Sequence, residues 1–386
     1  MKEAIAFIDL QAQRRRLGDR PERAMQHVLD HGRMILGPEV DALEEALCAF
    51  SGAAHAVTCA NGTDAITLAL MAEEIGAGDV VFMPAFTFVA TAEAPAQLGA
   101  VPYFVDVDEA SFNIDAASLE AGIEDALARG LRPRAIIAVD LFGQSADYAA
   151  LRPIAERHGL VLIADAAQSF GGTIDGRRVG SFGDYTTTSF FPAKPLGGFG
   201  DGGAVFTADA DKADLLRSLR AHGKGGDRYD NVRIGLNSRL DTLQAAVLLE
   251  KLRIFEDELA ARHEVALRYN RALDGWMTVP VLGEGRTSSW AQYTLRHADR
   301  DALMSALRSE GIPTAIYYPR PLNRQRGYLA FPSVPGGVPV ADRLSEDVFS
   351  LPMHAYLSAD QQARITDALL SALADRQEIA MARTGT

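Results

Sequence analysis

Between residues 55 and 207 the chain alternates short apolar, β-rich runs with longer amphipathic stretches, the pattern of a mostly parallel sheet wrapped by helices. The runs fall at 55–59, 80–83, 101–105, 135–139, 160–164, 185–190 and 204–207, which predicts a seven-stranded sheet. Between them, 64–75 and 147–158 have helical spacing, and Gly159 supplies a C-terminal glycine for the second. Upstream, 37–50 opens with Pro38, suited to the first turn of a helix, and puts Val40, Leu43 and Leu47 on one face. After Arg239 a helical pattern runs to about residue 273, long enough to bridge two domains. Beyond it the texture changes, with strands expected at 293–297 and 315–318, a helix at 301–310 and a last helix from Ala359. The expected organisation is an N-terminal arm (1–36), a large α/β domain (37–250) and a small α+β domain (251–386).

Composition narrows the partners. A chain of 386 residues, nearly half of them hydrophobic, can bury deep sites. Its 51 acidic against 38 basic residues leave a net charge of −13, which argues against nucleic acid or an anionic membrane, since both reward a basic surface. Two cysteines, Cys48 and Cys59, are too few for a disulfide framework or a metal cluster and read as packed thiols of a reduced protein. The opening MKEAIAFIDLQAQRRR lacks a signal-peptide core, and no run of some eighteen apolar residues occurs, so a soluble, cytoplasmic protein is expected with only the ARTGT tail frayed.

Lysine is scarce: only Lys2, Lys194, Lys212, Lys224 and Lys251 occur. A solvated helix face accounts for Lys212 and Lys251. Lys194 differs, because SFFPAKPLGGFGDGG is a Pro-flanked, glycine-rich loop past a buried strand with no helix to solubilise. A desolvated lysine can form an imine with an aldehyde, which arginine cannot. A second element is VLIADAAQSFGG, an apolar strand ending in Asp165 with Gln168 and Ser169 in the turn after it. Ligands collect at the carboxyl ends of strands in open α/β sheets, and a carboxylate there could keep a pyridine nitrogen protonated. A third is CANGTDAITLAL, where Gly62 and Thr63 precede a helix whose free N–H groups can cradle a phosphate. Ser189 could add a hydroxyl to that cradle. Phe86 and Phe88 follow another strand, and Phe88 is the better placed to stack on a flat ring. Singly, each of these reads as a cap, a turn acid or a core aromatic.

Taken in order, the set resembles the fold-type-I pyridoxal-phosphate enzymes and, within them, the DegT/StrS family of sugar aminotransferases. The likeness runs through FIDL, GRMILGPEV, ANGTDA, TFVATAEA, DAAQSFG, TSFFPAKPLG, GDGGAVFT, GLNSRLDTLQAA and EDVFSLPMH. It implies pyridoxal 5'-phosphate as cofactor, passing through the pyridoxamine form. Lys194 would then be the lysine that binds the aldehyde, Asp165 the pyridinium partner and Gln168 a contact to the ring hydroxyl. Gly62, Thr63 and Ser189 would hold the phosphate, with Asn237 reaching in from the other subunit of a homodimer. Arg239 would meet a sugar or donor carboxylate. YYPRPLN is similar to the HYP-P-LN segment of UDP-2-acetamido-2-deoxy-3-keto-glucuronate 3-aminotransferases, which places Tyr317 and Tyr318 at the sugar, with Tyr317 where those enzymes have His. The implied reaction moves an amino group from L-glutamate to a nucleotide-linked keto sugar, in amino-sugar and surface-polysaccharide (lipopolysaccharide O-antigen) biosynthesis. A dTDP-linked 3-keto or 4-keto 6-deoxyhexose is the alternative substrate, and a non-catalytic sensor on the same fold the alternative of another class. No metal is implied.

Overall fold

The computed structural model describes residues 4–227 and 229–384, with side chains to residue 376. Lys2 and the last two residues of the ARTGT tail lie outside them. Seven strands form the central sheet: β1 (His55–Cys59), β2 (Asp79–Pro84), β3 (Val101–Val105), β4 (Arg132–Val139), β5 (Val161–Asp165), β6 (Tyr185–Ser189) and β7 (Gly203–Thr207). Their order across the sheet is β1, β7, β6, β5, β4, β2, β3. The pairs from β6 through β5, β4 and β2 to β3 are parallel, while β7 runs antiparallel to both β6 and β1. Both faces of the central strands are covered, which is why β2, β4 and β5 are apolar through most of their length, while β6 buries three threonines.

The N-terminal residues form two helices, α1 (Leu10–Leu17) and α2 (Arg20–His31), before α3 (Pro38–Ser51) and α4 (Gly62–Ala72). Local chemistry sets the ends. Asn61 caps α4 by accepting from the Asp64 N–H at 2.8 Å, and Gly159, with φ +63, closes the Tyr148–His158 helix. The 32-residue helix Thr242–Leu273 lines two cores in turn. Its first half packs Leu248 and Phe255 against Phe170, Phe190 and Phe206. Its second half packs Tyr269 and Leu273 against Tyr293, Leu303, Phe349 and Leu369.

The expected strand at 315–318 is not there. Ala315 alone pairs, exchanging two backbone hydrogen bonds with Ser350. The partner of β8 (Tyr293–Arg296) is instead β9 (Val348–Leu351), antiparallel to it. After Ala315 the chain leaves that ribbon and crosses to the large sheet, helped by Pro319 and Pro321, which have no N–H to pair. It docks where Leu322 N–H donates to Ala85 O, and residues 332–334 then hydrogen-bond to Phe104 on the outer edge of β3. Asp106 fixes the return by accepting from Val340 and Ala341 N–H, both at 2.9 Å. Tyr317 and Tyr318, joined by a cis peptide, lie on this crossing.

A buried ion pair fastens β1 in place. Glu44 of α3 accepts from Arg220 at 2.5 Å and from the backbone and hydroxyl of Thr58 on β1, both at 2.9 Å, and all three residues are buried. Removing one partner strands the other charge without water, so Glu44→Ala is expected to lower the free energy of unfolding by about 3–5 kcal/mol. Urea titration checks this; a loss under about 1 kcal/mol would mean that the pair does not anchor the strand.

Candidate active site

The carboxyl ends of β2, β4, β5 and β6 open on one side of the sheet, and most of the expected site residues gather there. Asp165 ends β5, and the register pairs it with Thr187 of β6. Ser189 follows Thr187 by two residues, so the three side chains share one face. Asp165 is buried and accepts from Ala167 N–H at 3.1 Å. Burial pushes its carboxyl above the usual range, and the charge of Lys194 pulls the other way. Lys194 mirrors it: desolvation lowers its ammonium from the ordinary lysine value, with Asp165 opposing. Each charge therefore offsets part of the cost of holding the other away from water.

The α4 N-terminus abuts this pair. A Cβ on Gly62 would lie 2.7 Å from Ser189 Cβ and 3.2 Å from its Oγ, so only glycine lets the helix start approach β6 this closely. The Asn61 carbonyl takes the Ala65 N–H and its side chain takes that of Asp64. The N–H groups of Gly62 and Thr63 remain outside the helix's own ladder, beside the Ser189 hydroxyl. Thr187 adds a buried hydroxyl oxygen that has no hydrogen-bond partner among the described residues. A phosphate-bearing ring with a basic nitrogen fits this donor set: a helix N-terminus and hydroxyls at one end, a carboxylate and an amine further in.

Aromatic and amide groups form the opposite wall. Gln168 accepts from Phe142 N–H at 2.7 Å and donates to the Tyr318 hydroxyl at 3.3 Å. The Tyr318 ring centroid is 6.3 Å from that of buried Phe86 and 6.2 Å from that of Phe88, which stays exposed at the mouth. Tyr317 packs edge-on against Tyr318 and lies 6.3 Å from Phe7 of the N-terminal segment. Asn237 and Arg239 are not joined to this cluster by any side-chain hydrogen bond or ion pair among the described residues. Asn237 is exposed and Arg239 half-buried, while Ser238 between them accepts from Ala60 N–H at 3.2 Å, just ahead of α4.

Two groups escaped the sequence reading. Asp140 follows β4 as Asp165 ends β5, and IIAVD carries the same signature as VLIAD. It is fully buried and accepts from Ser169 Oγ (2.6 Å), Tyr148 Oη (2.7 Å) and Ala146 N–H (2.7 Å). It thereby fixes the turn that carries Gln168. The other is Lys251, whose expected place on a solvated helix face is wrong: it is 2 % exposed and points into the Lys194 loop. Its spacing from Leu248 and Phe255 already set it on the buried side of the helix. Lys212 is also not simply solvated, since it is half-buried against Glu73 at 2.6 Å.

Residues 16–370 match the DegT/DnrJ/EryC1/StrS aminotransferase family. The chain is 46 % identical over 354 residues to a UDP-2-acetamido-2-deoxy-3-oxo-D-glucuronate aminotransferase of Pseudomonas aeruginosa, covering 92 % of this chain and 96 % of that one. It is 42 % identical over 363 residues to a UDP-N-acetyl-3-dehydro-α-D-glucosamine 3-aminotransferase of Acidithiobacillus ferrooxidans, covering 94 % and 96 %. Among solved structures, a DegT/DnrJ/EryC1/StrS aminotransferase from Brucella abortus superposes with a TM-score of 0.94 at 52 % identity, covering 95 % of this chain and 99 % of that one.

Asp140 yields a signed pH dependence. Burial raises its carboxyl from 3.8 to about 7, against the opposing pull of its hydrogen bonds. A folded-state value above the unfolded one stabilises the fold at low pH, and that contribution is lost as pH rises toward 7. Asp140→Asn cannot ionise, so its thermal midpoint relative to wild type is expected to climb between about pH 4 and pH 7. Midpoints of the two proteins running parallel across that window would show that Asp140 does not titrate there.

Proposed function

Because the chain belongs to the DegT/DnrJ/EryC1/StrS aminotransferase family, we propose that it transfers the amino group of L-glutamate to the keto carbon of a nucleotide-linked sugar of the UDP-3-keto-N-acetylhexosamine uronate type. The observation that carries this reading is the opposed pair Lys194 and Asp165 beside the Gly62–Ser189 approach. Family members depend on pyridoxal phosphate; when bound, it acts as an electron sink for charge left on the carbon that loses a proton. Gly62 and Thr63 N–H groups and Ser189 Oγ would hold the phosphate, joined by Asn237 of the partner subunit. Asp165 would keep the proton on the ring nitrogen, Gln168 would meet the ring hydroxyl, and Phe88 would cover one face of the ring.

Lys194 carries the proton traffic. Desolvation raises the neutral fraction of its amine near neutral pH, so Nζ can take a proton from the donor's α-carbon and later return one to the sugar carbon. Arg239 presents a guanidinium fork suited to the donor or uronate carboxylate, and Tyr317 and Tyr318 flank the sugar side. Exposed Phe191 and Phe199 flank the Lys194 loop, and Val232 and Ile234 are exposed on a neighbouring one. Such apolar side chains around a site support reading the assembly as a homodimer with shared active sites. No helix among the described residues is long and apolar enough to cross a membrane. The net charge of −13 and the two free thiols support a cytoplasmic enzyme that binds neither nucleic acid nor an anionic membrane surface.

Incubation with glutamate and a panel of UDP- and dTDP-linked keto sugars, read by mass spectrometry, is expected to give glutamate-dependent amination of a UDP-3-keto uronate. Amination of a dTDP sugar alone would reassign the substrate. Lys194→Ala should lower turnover by about 10²–10⁴-fold or more while the protein stays folded; normal turnover in that variant would remove Lys194 from the chemistry.

A further inference from the structure

Lys251 lies on the long helix Thr242–Leu273, nearly two turns beyond Gln244, and both side chains reach the loop after β6. The Lys251 amine donates to the Gly197 carbonyl at 2.6 Å and reaches that of Gly198 at 3.4 Å. It also sits 4.8 Å from the centroid of the Phe199 ring. Gln244 Oε1 accepts from Phe199 N–H at 2.8 Å. The loop itself is folded tightly: Gly198 N–H donates to Phe190 O at 2.7 Å and Lys194 N–H to Phe191 O at 2.8 Å. A Cβ on Gly197 would fall 2.4 Å from Pro192 O, so the returning arm touches the outgoing one. Lys194 stands between those arms, and no strand or helix of its own holds it.

We propose that Lys251 is a positioning residue for Lys194: by donating to the carbonyls at the loop's exit it locks the returning arm, and with it the backbone that carries the Lys194 side chain. The amine suits that task. A buried carbonyl needs a donor, and a lysine at the end of a flexible stem can serve adjacent carbonyls that diverge by a few ångströms, where a planar guanidinium would demand a wider slot. Burial lowers the Lys251 ammonium to about 8, with the charge of Glu258, two turns further along the helix, opposing. Either protonation state keeps N–H donors, so the clamp does not depend on the charge.

The consequence for catalysis rests on the role proposed above for Lys194, but the effect on the loop does not. Hydrogen exchange on cofactor-free protein therefore tests the clamp directly. In Lys251→Met, similar in volume but without donors, peptides spanning 191–200 are expected to exchange at least ~10-fold faster, with the rest of the long helix unchanged. Lys251→Gln, which keeps an N–H donor on a shorter stem, should fall between Met and wild type. In the cofactor-loaded enzyme, kcat should drop ~10-fold or more in the Met variant while KM for glutamate stays within about threefold, the signature of a misplaced group rather than lost binding. Wild-type exchange across 191–200, a loss of protection spread over the whole helix, an unaltered kcat, or failure of both variants to fold would each overturn the proposal. Wild-type enzyme that shows no glutamate-dependent amination would instead undo the role given to Lys194 and leave the exchange result standing.

Discussion

An amine and a carboxylate can be taken out of water together far more cheaply than either can alone, and the carboxyl-end crevice of this fold is organised around that constraint. Asp165 ends a strand covered on both faces, and burial alone drives its carboxyl toward the neutral form. Lys194 sits in the loop past the next strand over, driven toward its own neutral form. Each charge restrains the other's shift, which favours the charged form of both groups. The main-sheet register that places Asp165 opposite Thr187 brings the two segments together.

Around this pair the supports are rigid and come from distant parts of the chain. Asp140 holds the turn with Ser169 and Gln168, the Glu44–Arg220–Thr58 cluster holds β1 and hence the start of α4, and the long helix holds the Lys194 loop. The crossing segment after Ala315 brings Tyr318 onto Gln168. A site whose groups lie on loops gains precision from such anchoring, because the loops alone would sample many positions.

The sheet was legible in the sequence because most strands covered on both faces are short apolar runs, and the seven runs matched strands to within a few residues. The strand-end position of Asp165 was legible for the same reason, as a polar residue closing the apolar run VLIAD, while Ser189 closes the threonine-rich YTTTS and was placed by its position ahead of the Lys194 loop. Elsewhere the signals were weaker. Residues 315–318 have a strand's texture, yet Pro319 and the pull of the Leu322–Ala85 contact draw them off the ribbon. Val348–Leu351 went unseen because the Pro339–Asp347 helix runs into it with no glycine or proline between. Lys251 was misread because a charged residue in a helical pattern suggests solvent, and what it faces, a pair of backbone carbonyls, leaves no trace in side-chain patterning.

The proposed chemistry requires one lysine of the chain's five to engage an aldehyde at this site. Borohydride reduction of the protein equilibrated with pyridoxal phosphate, followed by peptide mapping, identifies that lysine. The label is expected on Lys194 in the peptide spanning residues 191–197, at one per chain. A label on Lys212, Lys224 or Lys251 instead, or none at all in protein shown to be folded, would contradict it.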